Sequence, residues 1–301
     1  MILCCALTYN IYCIPEKGLV MTDSQQEFLS SIDVIYDMHT HIFPGKIAEK
    51  AVASIGKFYD IPMKEKGTAE ELVARGKAAR VSKFLVCSTA TTGAQVNAIN
   101  DFVSKECSIY PEFLGFGSLH PDYEKIDGPG SIAKEVDRMI SLGLRGIKLH
   151  PDFQHFDIDA PEAYSIYEAA EGKLPLLIHM GDNRYDYSKP FRLANILKTF
   201  PKLTVIAAHL GGYSCWDEVK ALGNYLGHPN IYIDTCSAIQ FLPKEESVNI
   251  IRAHGVDKVF WGTDFPMWSH ETELERFLNL GLTEEENRKI LSDNAKKFFN
   301  K

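Results

Sequence analysis

The chain is short of the features that mark several protein classes. Clustered positive charge is missing: 40 Asp and Glu outweigh 32 Lys and Arg, for a net charge of -8 and a pI near 5.7. Binding to a phosphate backbone depends on a concentrated basic surface, so nucleic acid is not an expected partner. Cysteine is sparse and unpaired in pattern. The seven residues, Cys4, Cys5, Cys13, Cys87, Cys107, Cys215 and Cys236, are odd in number and include no CxxC spacing. Such usage suits reduced thiols in a cytoplasmic protein better than a disulfide framework. No GxGxxG or P-loop pattern accompanies Gly211-Gly212, so a nucleotide-phosphate loop is not indicated.

Long apolar runs are also absent. Residues 1–20 begin apolar, but no Lys or Arg precedes the apolar part and no small-residue cleavage site follows it, which makes a poor secretion signal. Asn10, Pro15, Glu16 and Lys17 break the segment before it is long enough to span a bilayer. A membrane partner is therefore not expected, and residues 1–30 read as a dispensable N-terminal extension ahead of one domain at 31–301.

What the sequence does contain is a rhythm. Short, continuously apolar runs recur near 32–36, 83–87, 113–119, 146–150, 174–179, 203–209, 231–235 and 259–264. Helix-like periodicity fills the intervals at 94–106, 131–142, 161–171, 190–200, 216–226, 244–254 and 271–280, with a further helix starting at Thr68. Residues 44–66 read as a long loop with short helical pieces. Parallel strands covered on both faces have this uninterrupted apolar character. Eight strand–helix units in about 250 residues predict an α/β fold, a single-domain (β/α)8 TIM barrel. The capping pair Thr283 and Glu286 predicts an extra C-terminal helix to about residue 299, packed under the barrel.

The active face of such a barrel lies at the C-terminal ends of its strands. The first strand runs into Asp37-Met38-His39-Thr40-His41, and residues two apart on a strand share a face, so His39 and His41 can aim two imidazoles at one point. The other apolar runs end in His150, His179, His209 and Asp264. A lone strand-end histidine is usually structural. Several on one rim point instead to a divalent metal, which neutral imidazoles and a carboxylate can bind with a position left open, lowering the pKa of bound water to about 7.

Together with Gly146-Ile147-Lys148-Leu149-His150-Pro151, His209-Leu210-Gly211-Gly212 and Gly262-Thr263-Asp264-Phe265-Pro266, this ordered set resembles the amidohydrolase superfamily, in its amidohydrolase-related branch of metal-dependent hydrolases and decarboxylases. The resemblance covers nearly all of residues 32–299. It implies one divalent ion, with zinc the expected metal and a second ion left open, held by His39, His41, His179 and Asp264. It makes His209 a catalytic histidine acting on water or substrate, and Asp264 both ligand and general base.

Lys148 sits two residues before His150 and shares its face. Many binuclear members carry a carboxylated lysine on strand four, but Lys148 lies a layer below the strand end and is expected to pair with an acid such as Asp234 or Asp264. His150 and Lys148 then line the substrate site, or His150 serves a second ion. Arg184, on the loop after strand five, suits a substrate carboxylate, with a solvated loop the alternative. Trp268 and His270 cover the pocket or simply pack; His155, His228 and His254 read as surface residues.

The expected function is metal-dependent hydrolysis of a C–N or C–O bond in a small, anionic substrate. The alternative is nonoxidative decarboxylation on the same metal. Resorcylate-type decarboxylases carry an acid shortly after the strand-six histidine, where this chain has Gly211 and Gly212. A TatD-like nuclease is disfavoured by the acidic charge, and a barrel that binds without turnover is the non-enzymatic alternative. Association into a homo-oligomer is left open.

Overall fold

The computed structural model describes residues 20–300. Among these, eight strands form one sheet in sequence order, each parallel to the next: β1 (Ile35–His41), β2 (Val81–Cys87), β3 (Phe113–Ser118), β4 (Gly146–Leu149), β5 (Leu176–Ile178), β6 (Val205–Ala207), β7 (Ile231–Asp234) and β8 (Val259–Phe260). This is the expected (β/α)8 barrel. The last strand is only two residues long, and the ring is closed by the chain that follows it. Met38 donates from its backbone to Trp261 at 3.0 Å, Asp264 to His39 at 2.8 Å, and His41 to Phe265 at 2.7 Å.

Two apolar layers hold the ring. Outward-facing strand residues such as Val86, Ile147, Ile178 and Val205 pack against the helices. Inward-facing Met38, Leu85, Phe116, Leu177, Ile206 and Phe260 fill the barrel below the histidine-bearing strand ends. Gly146 makes room for this filling, because a Cβ there would meet the Phe116 ring at 2.3 Å. The expected C-terminal helix is present but uneven. It runs through Glu284–Arg288, a π-helical turn at Lys289–Asp293 and Asn294–Phe299, and Phe298 and Phe299 pack beneath Phe260 and Phe116. Thr283 and Glu286 form the predicted capping box.

Two expectations need correction. Residues 44–66 are not mainly loop: Gly45–Tyr59 is one 15-residue helix, with Ala48 and Val52 buried on its core face. His254 is a buried residue, not a surface one, and its Nε2 lies 3.0 Å from the Ile231 carbonyl. Of the N-terminal extension, residues 1–19 lie outside the described residues, whereas Asp23–Ser30 is a capped helix that buries Phe28 and Leu29. No helix among the described residues is long and apolar enough to cross a membrane.

Candidate active site

Each strand-end residue reaches the rim through local backbone. His39 and His41 are two apart near the end of β1, and their ring centroids are 5.2 Å apart. His150, His179 and His209 follow β4, β5 and β6 within two residues. His209 and Asp264 are non-glycine residues in the left-handed region, at φ 63° and 58°. Such backbone is costly and clusters at functional sites. Here it turns both side chains inward at the point where each strand ends.

On the β1 side the hydrogen bonding is dense. His39 Nδ1 meets Asp234 Oδ2 at 2.9 Å, which directs the Nε2 lone pair into the site, where Lys148 Nζ donates to it at 2.9 Å. Asp234 also accepts from the His209 backbone at 2.8 Å and from the Cys236 thiol at 3.1 Å. Asp264 Oδ1 lies 3.2 Å from His41 Nε2 and 3.6 Å from His39 Nε2, while Ser237 donates to Oδ2 at 2.6 Å. The donor atoms of His39, His41 and Asp264 fall within 4.8 Å of one another.

Across the cavity the arrangement is looser. His179 Nδ1 is 2.9 Å from His209 Nε2, and its other nitrogen faces Asp152 Oδ2 at 3.2 Å. His150 stacks on His179 with centroids 4.0 Å apart, and its Nε2 lies 2.9 Å from the Tyr59 hydroxyl. Both Asp152 oxygens, His179 Nε2 and His150 Nδ1 are buried without a hydrogen-bond partner among the described residues. Of the four expected metal ligands, three therefore converge, while His179 is turned toward Asp152.

On the β1 side each ionisable group is held by a different cause. Burial, then the Lys148 ammonium, holds the pKa of His39 well below its usual value, so the imidazole is neutral. Burial also opposes the charged form of His41, but Cys87 and Asp264 outweigh it and carry its pKa up to about 9. Burial works against the Asp264 carboxylate too, yet the His39 and His41 imidazoles hold its pKa well below the carboxylate range. His209 is pushed down to about 3 by burial and by His179. A neutral imidazole, a second imidazole that can exchange its proton for an ion, and an ionised carboxylate form a donor set that fits a divalent metal. The Asp234–His39 contact is the buried carboxylate that such ligand histidines ordinarily carry.

The remaining candidates separate clearly. Lys148 and His150 line the cavity with the rim residues. Lys148 is fully buried and meets His39, not the acid partner expected for it. Arg184 does not line this cavity. Its Nε and Nη2 bond to Asp182 at 2.9 and 2.6 Å and its Nη1 to the Phe58 carbonyl at 2.7 Å, so the guanidinium is committed to tying the β5 loop to helix Gly45–Tyr59. It stands instead at a neighbouring cavity, with Trp268. His270 is buried against Asp37, Nε2 to Oδ2 3.1 Å. Sequence reasoning missed Asp152, Cys236 and Tyr59. Asp152 lay two residues beyond His150, the same spacing that had drawn attention to His39 and His41.

The family model described as amidohydrolase matches residues 36–301. The chain belongs to the amidohydrolase family. Solved structures of similar fold include 5-carboxyvanillate decarboxylase from Sphingomonas paucimobilis, 16% identical over 89% of this chain and 99% of that one, with a TM-score of 0.67. The 5-carboxyvanillate decarboxylase of Novosphingobium aromaticivorans, complexed with manganese and 4-hydroxy-3-methoxy-5-nitrobenzoic acid, is 16% identical over 96% and 100% of the two chains, with a TM-score of 0.68. An uncharacterised TIM-barrel protein from Bordetella bronchiseptica is 19% identical over 88% and 98%, with a TM-score of 0.70. At these identities the likeness is one of fold.

Proposed function

We propose that this amidohydrolase-family chain is a metal-dependent enzyme that removes CO2 from a small carboxylic acid without redox chemistry. The observation that carries the reading is the cavity itself. It holds about 440 Å³, and its described lining is apolar except for the histidine rim, Lys148, Asp264 and a few hydroxyl and amide groups. A carboxylate drawn to that floor exchanges water for fixed protein charges, which favours a transition state in which its charge is dispersed. The fold relatives named above as decarboxylases support the same direction.

A divalent ion at His39, His41 and Asp264, with His179 as a further ligand, would supply Lewis-acid charge that polarises substrate oxygens. Lys148, beside His39, adds positive charge that orients an incoming carboxylate. As the C–C bond breaks, its electron pair stays on the substrate carbon, and a proton must arrive there while CO2 leaves. Asp264 is the proposed proton carrier: ionised at rest, it takes a proton from water in the cavity and passes it to the substrate carbon, its depressed pKa making it a strong acid once protonated. His209 lines the cavity floor, held through Nδ1 at 3.0 Å from the Cys236 carbonyl and with Nε2 2.9 Å from His179 Nδ1, and is proposed to position the reacting group together with His179.

Hydrolysis is the second reading, favoured by the same ionised Asp264 acting as general base on water. The two are separated by incubating metal-loaded enzyme with a panel of aromatic and aliphatic acids and a matching panel of amides and lactones. Release of CO2 with appearance of the protonated product supports decarboxylation; acid liberated from amide or lactone with no CO2 overturns it.

A further inference from the structure

The cavity does not end at its charged floor. It continues outward between helix Gly45–Tyr59 and the helix Val96–Ile109, and each helix presents an apolar stripe there in addition to the one it buries in the core. On the first helix the core face is Ala48 and Val52, while Ile47, Ala51 and Ile55 face the cavity at i, i+4 and i+8. On the second, Val96, Asn100 and Val103 are buried, whereas Ala98, Ile99 and Phe102 face the cavity. Ile47 is left 52% exposed at the mouth, an unusual position for isoleucine on a helix that already has a buried face.

Charge is distributed just as unevenly. Among the described lining residues, Lys148, Asp264 and the histidines lie at the floor, and the outer part has no ionisable side chain apart from the Tyr59 phenol. A ligand filling this space is anionic or polar at one end and neutral and apolar at the other. A carboxylate at both ends would find nothing to pair with in the outer part.

We infer that the groove between these two helices is a binding subsite for the apolar substituent of an amphiphilic substrate, such as an alkyl or aryl group carried by the acid that reacts at the floor. The inference rests on the placement of the reacting group at the histidine floor, and it deepens that reading by assigning the substrate class. The first helix continues directly from the floor residues: Phe43 and Pro44, between β1 and that helix, line the same cavity as His41. Each methylene removed from water into such a groove strengthens binding about threefold to fourfold until the groove is full.

The test is isothermal titration of the full-length, metal-loaded protein with two probe series, 4-n-alkylbenzoates and 4-n-alkylphenols, from methyl to hexyl. The expected result is a dissociation constant that falls about threefold or more per methylene over the first several members of at least one series. Ala98→Trp, on an exposed helix position, and Ala51→Trp, one helix across, each fill the groove and should flatten that dependence, with far-UV circular dichroism reporting that the fold is kept. The readout is the ratio of affinities of the longest and shortest probes. A flat ratio in the unaltered protein, no binding in either series, or a steep ratio that survives both substitutions overturns the subsite. A steep ratio for the phenols with no binding of the benzoates keeps the subsite and counts instead against the decarboxylase reading, as does failure to release CO2 from acids that bind.

Discussion

Two imidazoles of the site are backed by buried carboxylates, and the two pairs are built differently. Asp234 holds His39 at 2.9 Å while also accepting from the His209 backbone and the Cys236 thiol. Asp152 approaches His179 at 3.2 Å and has no hydrogen-bond partner among the described residues. A buried carboxylate that is fully bonded has one orientation; one that is not remains costly until a proton or cation meets it. The β1 side is therefore set before any ligand arrives, whereas the β5 side has its geometry completed by what binds. Burial alone does not distinguish them, since both acids are essentially inaccessible.

The comparison breaks most visibly if the metal is lost equally from both sides. Replacing His39 and His41 together by alanine should strip the ion to background in elemental analysis and abolish activity, with far-UV circular dichroism nearly unchanged. His179→Ala should keep a measurable fraction of the metal. If the two variants retain the same amount, the β1 side is not the principal seat.

Asp264→Asn tests the acid proposed to serve both metal and chemistry. It should keep the fold and part of the metal yet lose on the order of 10² to 10⁴ in kcat, the range that loss of a proton-transfer group costs. Near wild-type turnover would remove Asp264 from the mechanism.

The carboxylates themselves can then be compared. Asp234→Asn should weaken metal binding by about 10- to 100-fold, as loss of a carboxylate behind a ligand histidine typically does. Asp152→Asn should weaken it by less than about tenfold, because the acid it replaces makes a single long contact. Competition with a chelator of known affinity gives both values, and equal losses would show that the looser pair is as important as the tighter one.

A separate prediction, on stability instead of metal binding, concerns a buried histidine with no carboxylate behind it. Burial holds His254 at a pKa of about 4. Its folded-state pKa lies below the unfolded value of about 6.5, so its contribution to stability is complete above that pH and is lost as pH falls toward 4. Thermal unfolding followed across that window should lose about 2–3 kcal/mol from this group, and His254→Gln should remove that part of the slope.

Most of the barrel was readable because its strands are buried on both faces and so print as unbroken apolar runs. The rim residues were readable for a related reason: a polar residue closing such a run has few explanations. Helix Gly45–Tyr59 was not read, since Pro44, Gly45 and Gly56 look like loop residues, although Ala48, Ala51, Val52 and Ile55 carry helical spacing. That omission concealed the cavity wall. Arg184 was misplaced because sequence shows a cation near the rim but not the partners that consume it, and Asp152 was passed over because its meaning depends on what it fails to touch.

The seam that closes the ring carries one last implication. The Asp264 backbone N–H donates to the His39 carbonyl, and that of His41 to the Phe265 carbonyl, so the first strand and the chain after the last are laced together by the same two segments that bear the proposed metal donors. Parting the termini of the barrel and dismantling the site are thus a single event. An ion held at the proposed site would grip both sides of this seam like a clasp on the circle, and the rate at which the protein comes apart would then measure how firmly the clasp is fastened.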